Sequence, residues 1–188
     1  MRASAATWTG AELVPSRTAR RAIGVLAFAV ATALGARIAL PIPGTPIPFT
    51  LQPMFVLLAG ALLGSRLGAL SQTLYLVAGA VGLPIFVAGG GFAYLLGPTG
   101  GYLLAYPLAA WLAGTGARKG AGRMLAGLLA GLAVIYVGGL AWLSIVGTAS
   151  MAVAWGLRPF LLADLVKTLL VLLIGQRLRE RAAHLFGG

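Results

Sequence analysis

The chain reads as an all-α polytopic membrane protein with six transmembrane helices, both termini cytoplasmic, and irregular outer loops folded over a site. Three observations predict this. Sixty per cent of the 188 residues are hydrophobic and 9% are charged, with a mean hydropathy of +0.97. A soluble chain of this length needs far more charge to cover its surface. The apolar residues fall into six runs, and the basic residues gather between alternate runs rather than at random, as cytoplasmic loops do in membrane proteins.

The runs are taken in order. The first covers 22–40, the second 49–64, the third 67–82, the fourth 101–117, the fifth 124–146 and the sixth 157–178. A spanning helix needs about 20 residues, so the second and third are short. With both termini inside, the cytoplasmic side holds Arg2, Arg17, Arg20, Arg21, Arg66, Arg118, Lys119, Arg123, Arg177, Arg179 and Arg181, eleven of the fourteen basic residues. The outer half holds Arg37, Arg158 and Lys167. The opposite orientation reverses that bias and is rejected. The first run has the basic flank of a signal peptide, and Ala33-Leu34-Gly35-Ala36 resembles a cleavage site. Removing it would leave five spans and strand one terminus on the wrong side, so it is read as a span. Residues 1–20 are expected to be a mobile cytoplasmic tail, 21–180 the six-helix membrane domain, and 181–188 a cytoplasmic C-terminal tail.

Several functions are excluded. The net charge of +11 forms no basic face with interleaved aromatics, so no nucleic-acid partner is expected. There is no cysteine, which removes disulfide and thiol chemistry. His184 is the single histidine, and no His, Cys or acidic cluster could hold a metal. One intramembrane carboxylate cannot form an aspartic-protease dyad. Gly114–Gly120 is no phosphate-binding loop, because the spacing is wrong and no Ser or Thr follows Lys119. The chain is read as a non-enzyme without cofactor or metal.

Asp164 carries the most information. The other acidic residues, Glu12 and Glu180, lie in the terminal segments. Asp164 sits inside an apolar run, where a charge costs about 2.5–3.5 kcal/mol on insertion scales. Lys167 follows three positions later and shares its helix face. The pair is either a structural ion pair that fixes helix packing or a polar binding site for a small molecule, and the second reading is preferred.

Two outer connections are unusual. Pro41–Pro53 holds five prolines in thirteen residues, which stop a helix and favour extended backbone. Its side chains are too apolar for a solvated loop, so it is expected to pack against the helices. The second, Gly82–Gly101, is long, apolar and glycine-rich, the signature of a lid or binding loop. Irregular backbone at membrane depth must be buried in protein or line a cavity. The run Gly89–Gly91 is a candidate hinge or a place where backbone approaches a ligand. Small residues also recur at four-residue spacing: Ala27, Ala31 and Gly35; Ala29 and Ala33; Gly60, Gly64 and Gly68; Gly127 and Gly131. Such ridges let helices approach closely. Internal packing accounts for any one of them. The first helix is the candidate for an outside partner, because two of its faces carry small residues.

Four stretches together are similar to one family: Pro43–Gln52 (PGTPIPFTLQ), Tyr75 with Gly82–Phe86 (GLPIF), Gly97–Tyr102 (GPTGGY), and Asp164-Leu-Val-Lys167. They resemble BioY, the biotin-binding S component of energy-coupling-factor (ECF) vitamin transporters, over about residues 20–180. The resemblance implies a six-helix subunit in the cell membrane that takes biotin from outside. Its partners would be a transmembrane coupling protein and two ATPase subunits, besides membrane lipid, with self-association left open. It implies substrate contacts at Asp164 and Lys167, a lid over Gly89–Gly101 with Gly90 and Gly91 near the ligand, and partner docking through Ala27, Ala31 and Gly35. Some relatives place an Arg or Asn near the lid. This chain has no Asn, and no charge between Arg66 and Arg118, so Gln52, Gln72, Tyr75 or loop backbone would substitute. Biotin offers two ureido N–H donors, a ureido carbonyl, an apolar bicycle and an anionic tail. Asp accepts N–H bonds, and Lys donates to a carbonyl or carboxylate. Phe49, Phe86, Tyr94 and Trp142 are candidates to enclose the rings. The alternatives are an S component for another small vitamin and a structural or assembly protein.

Overall fold

A computed structural model describes residues 16–186. The tail expected over residues 1–20 therefore falls outside the described residues as far as residue 15. Eight helices form among the described residues: α1 Arg17–Arg37, α2 Gln52–Leu63, α3 Ser65–Ala80, α4 Phe92–Leu95, α5 Gly100–Thr115, α6 Ala121–Val146, α7 Ala149–Gly156 and α8 Leu161–Phe186. The six longer ones match the six apolar runs. The two short ones, α4 and α7, lie in connections between the longer helices, where no helix was expected. Helix α1 begins inside the expected N-terminal tail, and α8 continues through most of the expected C-terminal one.

Local chemistry sets these boundaries. The Ser16 side chain accepts from the Ala19 N–H at 3.2 Å and caps α1. Pro53 occupies the first turn of α2, where its missing N–H costs nothing. Gly64 separates α2 from α3 at φ +84°, a conformation glycine adopts without penalty. The proline-rich connection turns at Pro43–Gly44, where the Thr45 N–H donates to the Ile42 carbonyl at 3.3 Å, between two short antiparallel strands, β1 Ala39–Leu40 and β2 Phe49–Thr50. The Leu51 N–H donates to the Gly35 carbonyl at 3.2 Å, and the Thr45 hydroxyl donates to the Trp155 carbonyl at 3.0 Å. The segment is thus packed onto α1 and α7, as its apolar composition required.

Helix α2 lies among α1, α3, α5 and α8, and α5 packs along α6. The glycine ridges make these contacts. A Cβ on Gly60 would strike the Ala110 carbonyl, one on Gly68 would meet the Gly60 α-carbon, and one on Gly131 the Ala109 carbonyl. Ala29, of the second α1 ridge, packs in the cluster around Val56, Tyr75 and Ile135.

Helix α8 is inverted relative to a helix in a soluble protein. It buries Asp164, Lys167 and Thr168 and exposes Leu162, Leu165, Val166, Leu169 and Leu173 along one stripe. Helix α1 likewise exposes Ile23, Leu26, Val30 and Leu34. Contiguous apolar faces of this kind are rare on soluble monomers and suit lipid. By length and composition, α1 and α6 are apolar enough to cross a membrane.

Candidate functional site

Asp164 sits in the first turn of α8, where the helix dipole favours a negative charge. Asp164 and Lys167 are 7% and 6% exposed, and Lys167 Nζ lies 2.7 Å from Asp164 Oδ1. This is the only ion pair among the described residues. Buried charges persist when they are paired and hydrogen-bonded, and both of these are. Tyr136, on α6, donates its hydroxyl to Asp164 Oδ2 at 2.7 Å. Lys167 Nζ also donates to the Thr50 carbonyl at 2.7 Å and lies 3.7 Å from the centre of the Phe49 ring, a cation–π distance. The extended β2 strand turns that carbonyl and that ring toward α8.

The pair borders a cavity between the helices and the two long connections. Thr50, Gln52, Phe86, Tyr94, Tyr136 and Phe160 are among its walls. Gln52 donates to the Tyr75 hydroxyl at 2.7 Å, and Tyr75 donates to the Ile85 carbonyl at 3.3 Å. Tyr75 therefore stands behind the wall rather than in it. Its ring meets Phe86 edge-on at 5.5 Å and stacks on Tyr106 at 6.4 Å. Phe86 lies 5.0 Å from Tyr94. The arrangement offers an acidic acceptor, a basic donor and an amide at the edge of an aromatic box, a composition suited to a flat, largely apolar ligand with one polar end.

The Gly82–Gly101 connection supplies Phe86, Val87, Tyr94 and Thr99 to the cavity wall and is tied down at several points. Arg37 donates to the Pro84 carbonyl. The Gly91 N–H donates to the Gly79 carbonyl at 2.7 Å, and Trp142 Nε1 donates to the Gly97 carbonyl at 2.9 Å. Beside the cavity lies a vestibule between the two connections. Ile47, Pro48, Val87, Tyr94 and Thr99 line both spaces, so the two are neighbours across a shared wall.

Asp164, Lys167, Gln52, Phe86 and Tyr94 line one cavity. The structure places the others differently. Gly90 and Gly91 are not in the cavity wall: Gly90 presses on the Leu83 carbonyl, so the close backbone approach is to α3 and its connection. Gln72 is wholly buried between α1 and α3, accepting from Thr32 at 3.1 Å. Trp142 serves the connection, and Phe49 serves Lys167. Gly35 is also corrected. It is buried, and a Cβ there would meet Phe55 at 2.8 Å, so it belongs to the α1–α2 contact. Ala27 is exposed and Ala31 half-buried. Sequence reasoning missed Tyr136, Tyr102 and Tyr106. A tyrosine in an apolar span needs a partner for its hydroxyl, and that was the available signal.

The helical fold and the enclosed polar pair define a small-molecule-binding membrane subunit. The BioY family model matches residues 5–184, and the chain belongs to the BioY family. A probable biotin transporter BioY of Pyrococcus horikoshii is 43% identical over 156 residues, covering 82% of this chain and 93% of the relative. The biotin transporter BioY of Thermotoga maritima is 39% identical over 157 residues, covering 81% and 92%. A crystal structure of the S-component for biotin from an ECF-type ABC transporter superposes with a TM-score of 0.78 at 26% identity, covering 89% of this chain and 95% of that one. The family is one of transport subunits, not enzymes.

Proposed function

We propose that this chain is the biotin-binding S component of an ECF transporter, capturing biotin from outside and delivering it inward with an ATP-driven coupling module. One observation carries the reading: the Asp164–Lys167 pair sets an acceptor beside a donor in an aromatic-walled cavity. That is the complement of a ureido group, whose N–H donors and carbonyl lie side by side. Asp164 accepts from one ureido N–H, and Lys167 donates to the adjacent ureido oxygen. Gln52 adds a polar contact, and Phe86 and Tyr94 enclose the bicycle. Tyr75 holds Gln52 from behind, and Gly90 and Gly91 shape the covering connection. The names of the relatives support the choice of biotin.

In this reading six helices span the cytoplasmic membrane with both termini inside. Residues 21–180 form the membrane domain, and α1 and α8 run past it into the cytoplasm. The bias of basic residues supports the orientation. Ala27 and Ala31 dock the transmembrane coupling protein, which joins two ATPase subunits.

Equilibrium binding to the purified subunit tests the function. Biotin is expected to bind, and thiamine and riboflavin are not. Binding of either in place of biotin assigns another vitamin. Binding of none leaves Asp164–Lys167 as a structural pair.

A further inference from the structure

We infer that the site takes neutral tail derivatives of biotin, its amides and esters, about as well as biotin itself. The inference rests on the biotin reading above. It follows from where the charges are. Among the residues lining the cavity and the vestibule, Lys167 is the one cation and Asp164 the one anion. Both line the inner cavity alone, as do Thr50, Tyr136 and Phe160, and none of the five lines the vestibule.

The pair selects the ureido end. Each Asp164 oxygen receives one protein hydrogen bond, from Lys167 and from Tyr136. A carboxylate offers about four acceptor positions, so acceptor capacity remains for a ureido N–H, whose neighbouring carbonyl then faces Lys167. The biotin carboxylate is a poor occupant of the same place. It accepts only, and it would sit beside Asp164, where a second carboxylate is disfavoured. The pair as a whole is neutral and supplies no field that draws in an anion.

The tail then points toward the vestibule, where nothing recognises a charge. Arg37 and Arg158 lie outside both linings, and Arg37 is held on the Pro84 carbonyl. Tyr94 and Thr99, which line both spaces, carry hydroxyls. They are neutral donors and serve an amide or ester carbonyl as they serve a carboxylate. The space beyond them is wide enough for an added group. The substrate class thus extends to biotin joined through its carboxyl to a primary amine, the lysine conjugate included.

The test is competition against labelled biotin on the purified subunit, using biotinamide, biotin methyl ester and the lysine conjugate. Inhibition constants within about threefold of that for biotin are expected. If biotin binds and the neutral derivatives are more than about tenfold weaker, the carboxylate is gripped and the inference fails. If biotin itself does not bind, the function proposed above fails first. A second arm places a cation at the exposed vestibule position Ala93. The Ala93→Arg variant should favour biotin over biotinamide by at least about fivefold. Unchanged selectivity there, with biotin bound, would show that the tail does not enter the vestibule and would overturn the inference.

Discussion

Tyr136 and Asp164, 28 residues apart on α6 and α8, are joined by a 2.7 Å hydrogen bond. With Lys167 on the other oxygen, the carboxylate is held at both ends and has little freedom to turn. An acceptor fixed before its ligand arrives loses less entropy on binding.

Replacing Tyr136 with Phe removes that hold without changing the ring. We expect biotin affinity to fall about tenfold, or about 1.4 kcal/mol, while the protein stays monodisperse. Calorimetric titration of the purified variant measures it. Unchanged affinity would mean that Lys167 alone positions the carboxylate.

Asp164→Asn should weaken biotin binding at least about tenfold, since hydrogen bonds to charged groups contribute about 1.5–3 kcal/mol. The variant should still reach the membrane folded. Lys167→Met leaves Asp164 buried without its counter-charge and should lower the melting temperature. Adding Asp164→Leu should restore the melting temperature but not binding, because an apolar pair of similar volume avoids the desolvation cost. Recovery of binding in the double variant would place the ligand elsewhere.

The first helix separates two uses of small residues. Ala27→Trp or Ala31→Trp alters an outward face and should block assembly with the coupling protein and ATP-driven uptake. Biotin binding to the isolated subunit should persist. Gly35→Trp should instead impair folding, because Gly35 packs on Phe55 and the start of α2. Pull-down of the module and binding by the free subunit distinguish them. Intact complexes with both tryptophans present would put the docking surface on another face.

Gly90 has no space for a side chain beside the Leu83 carbonyl. Gly90→Val should lift the glycine run from the end of α3 and loosen the cover over the cavity. Affinity changes in related complexes fall mostly on dissociation, so labelled biotin should leave the variant several-fold faster in a chase experiment. An unchanged dissociation rate would show that this part of the connection does not retain the ligand.

Much of the fold was legible because lipid-facing helices announce themselves by composition. The six apolar runs, the helix stop at the prolines and the close-packing glycines followed from hydropathy, missing N–H groups and absent side chains. Asp164 and Lys167 stood out because a buried charge needs a partner, and the spacing supplied one within a single helix. Helices α4 and α7 were not legible. Four and eight residues are too few for a periodic signal, and tertiary contacts rather than propensity stabilise such helices.

The sequence by itself determined the class of molecule, the inward-facing pair and the two connections that matter, since each depends on local composition or on spacing within one helix. Only the tertiary structure decided who completes the site. The Thr50 carbonyl and the Tyr136 hydroxyl reach the pair from 117 and 28 residues away, and no spacing rule connects them. It also decided which glycines and alanines face outward. Gly35 and Ala27 share a ridge in sequence, yet the start of α2 covers one and leaves the other open. Local chemistry sets which groups must find partners, and the packing of helices far apart in the chain sets which partners they find.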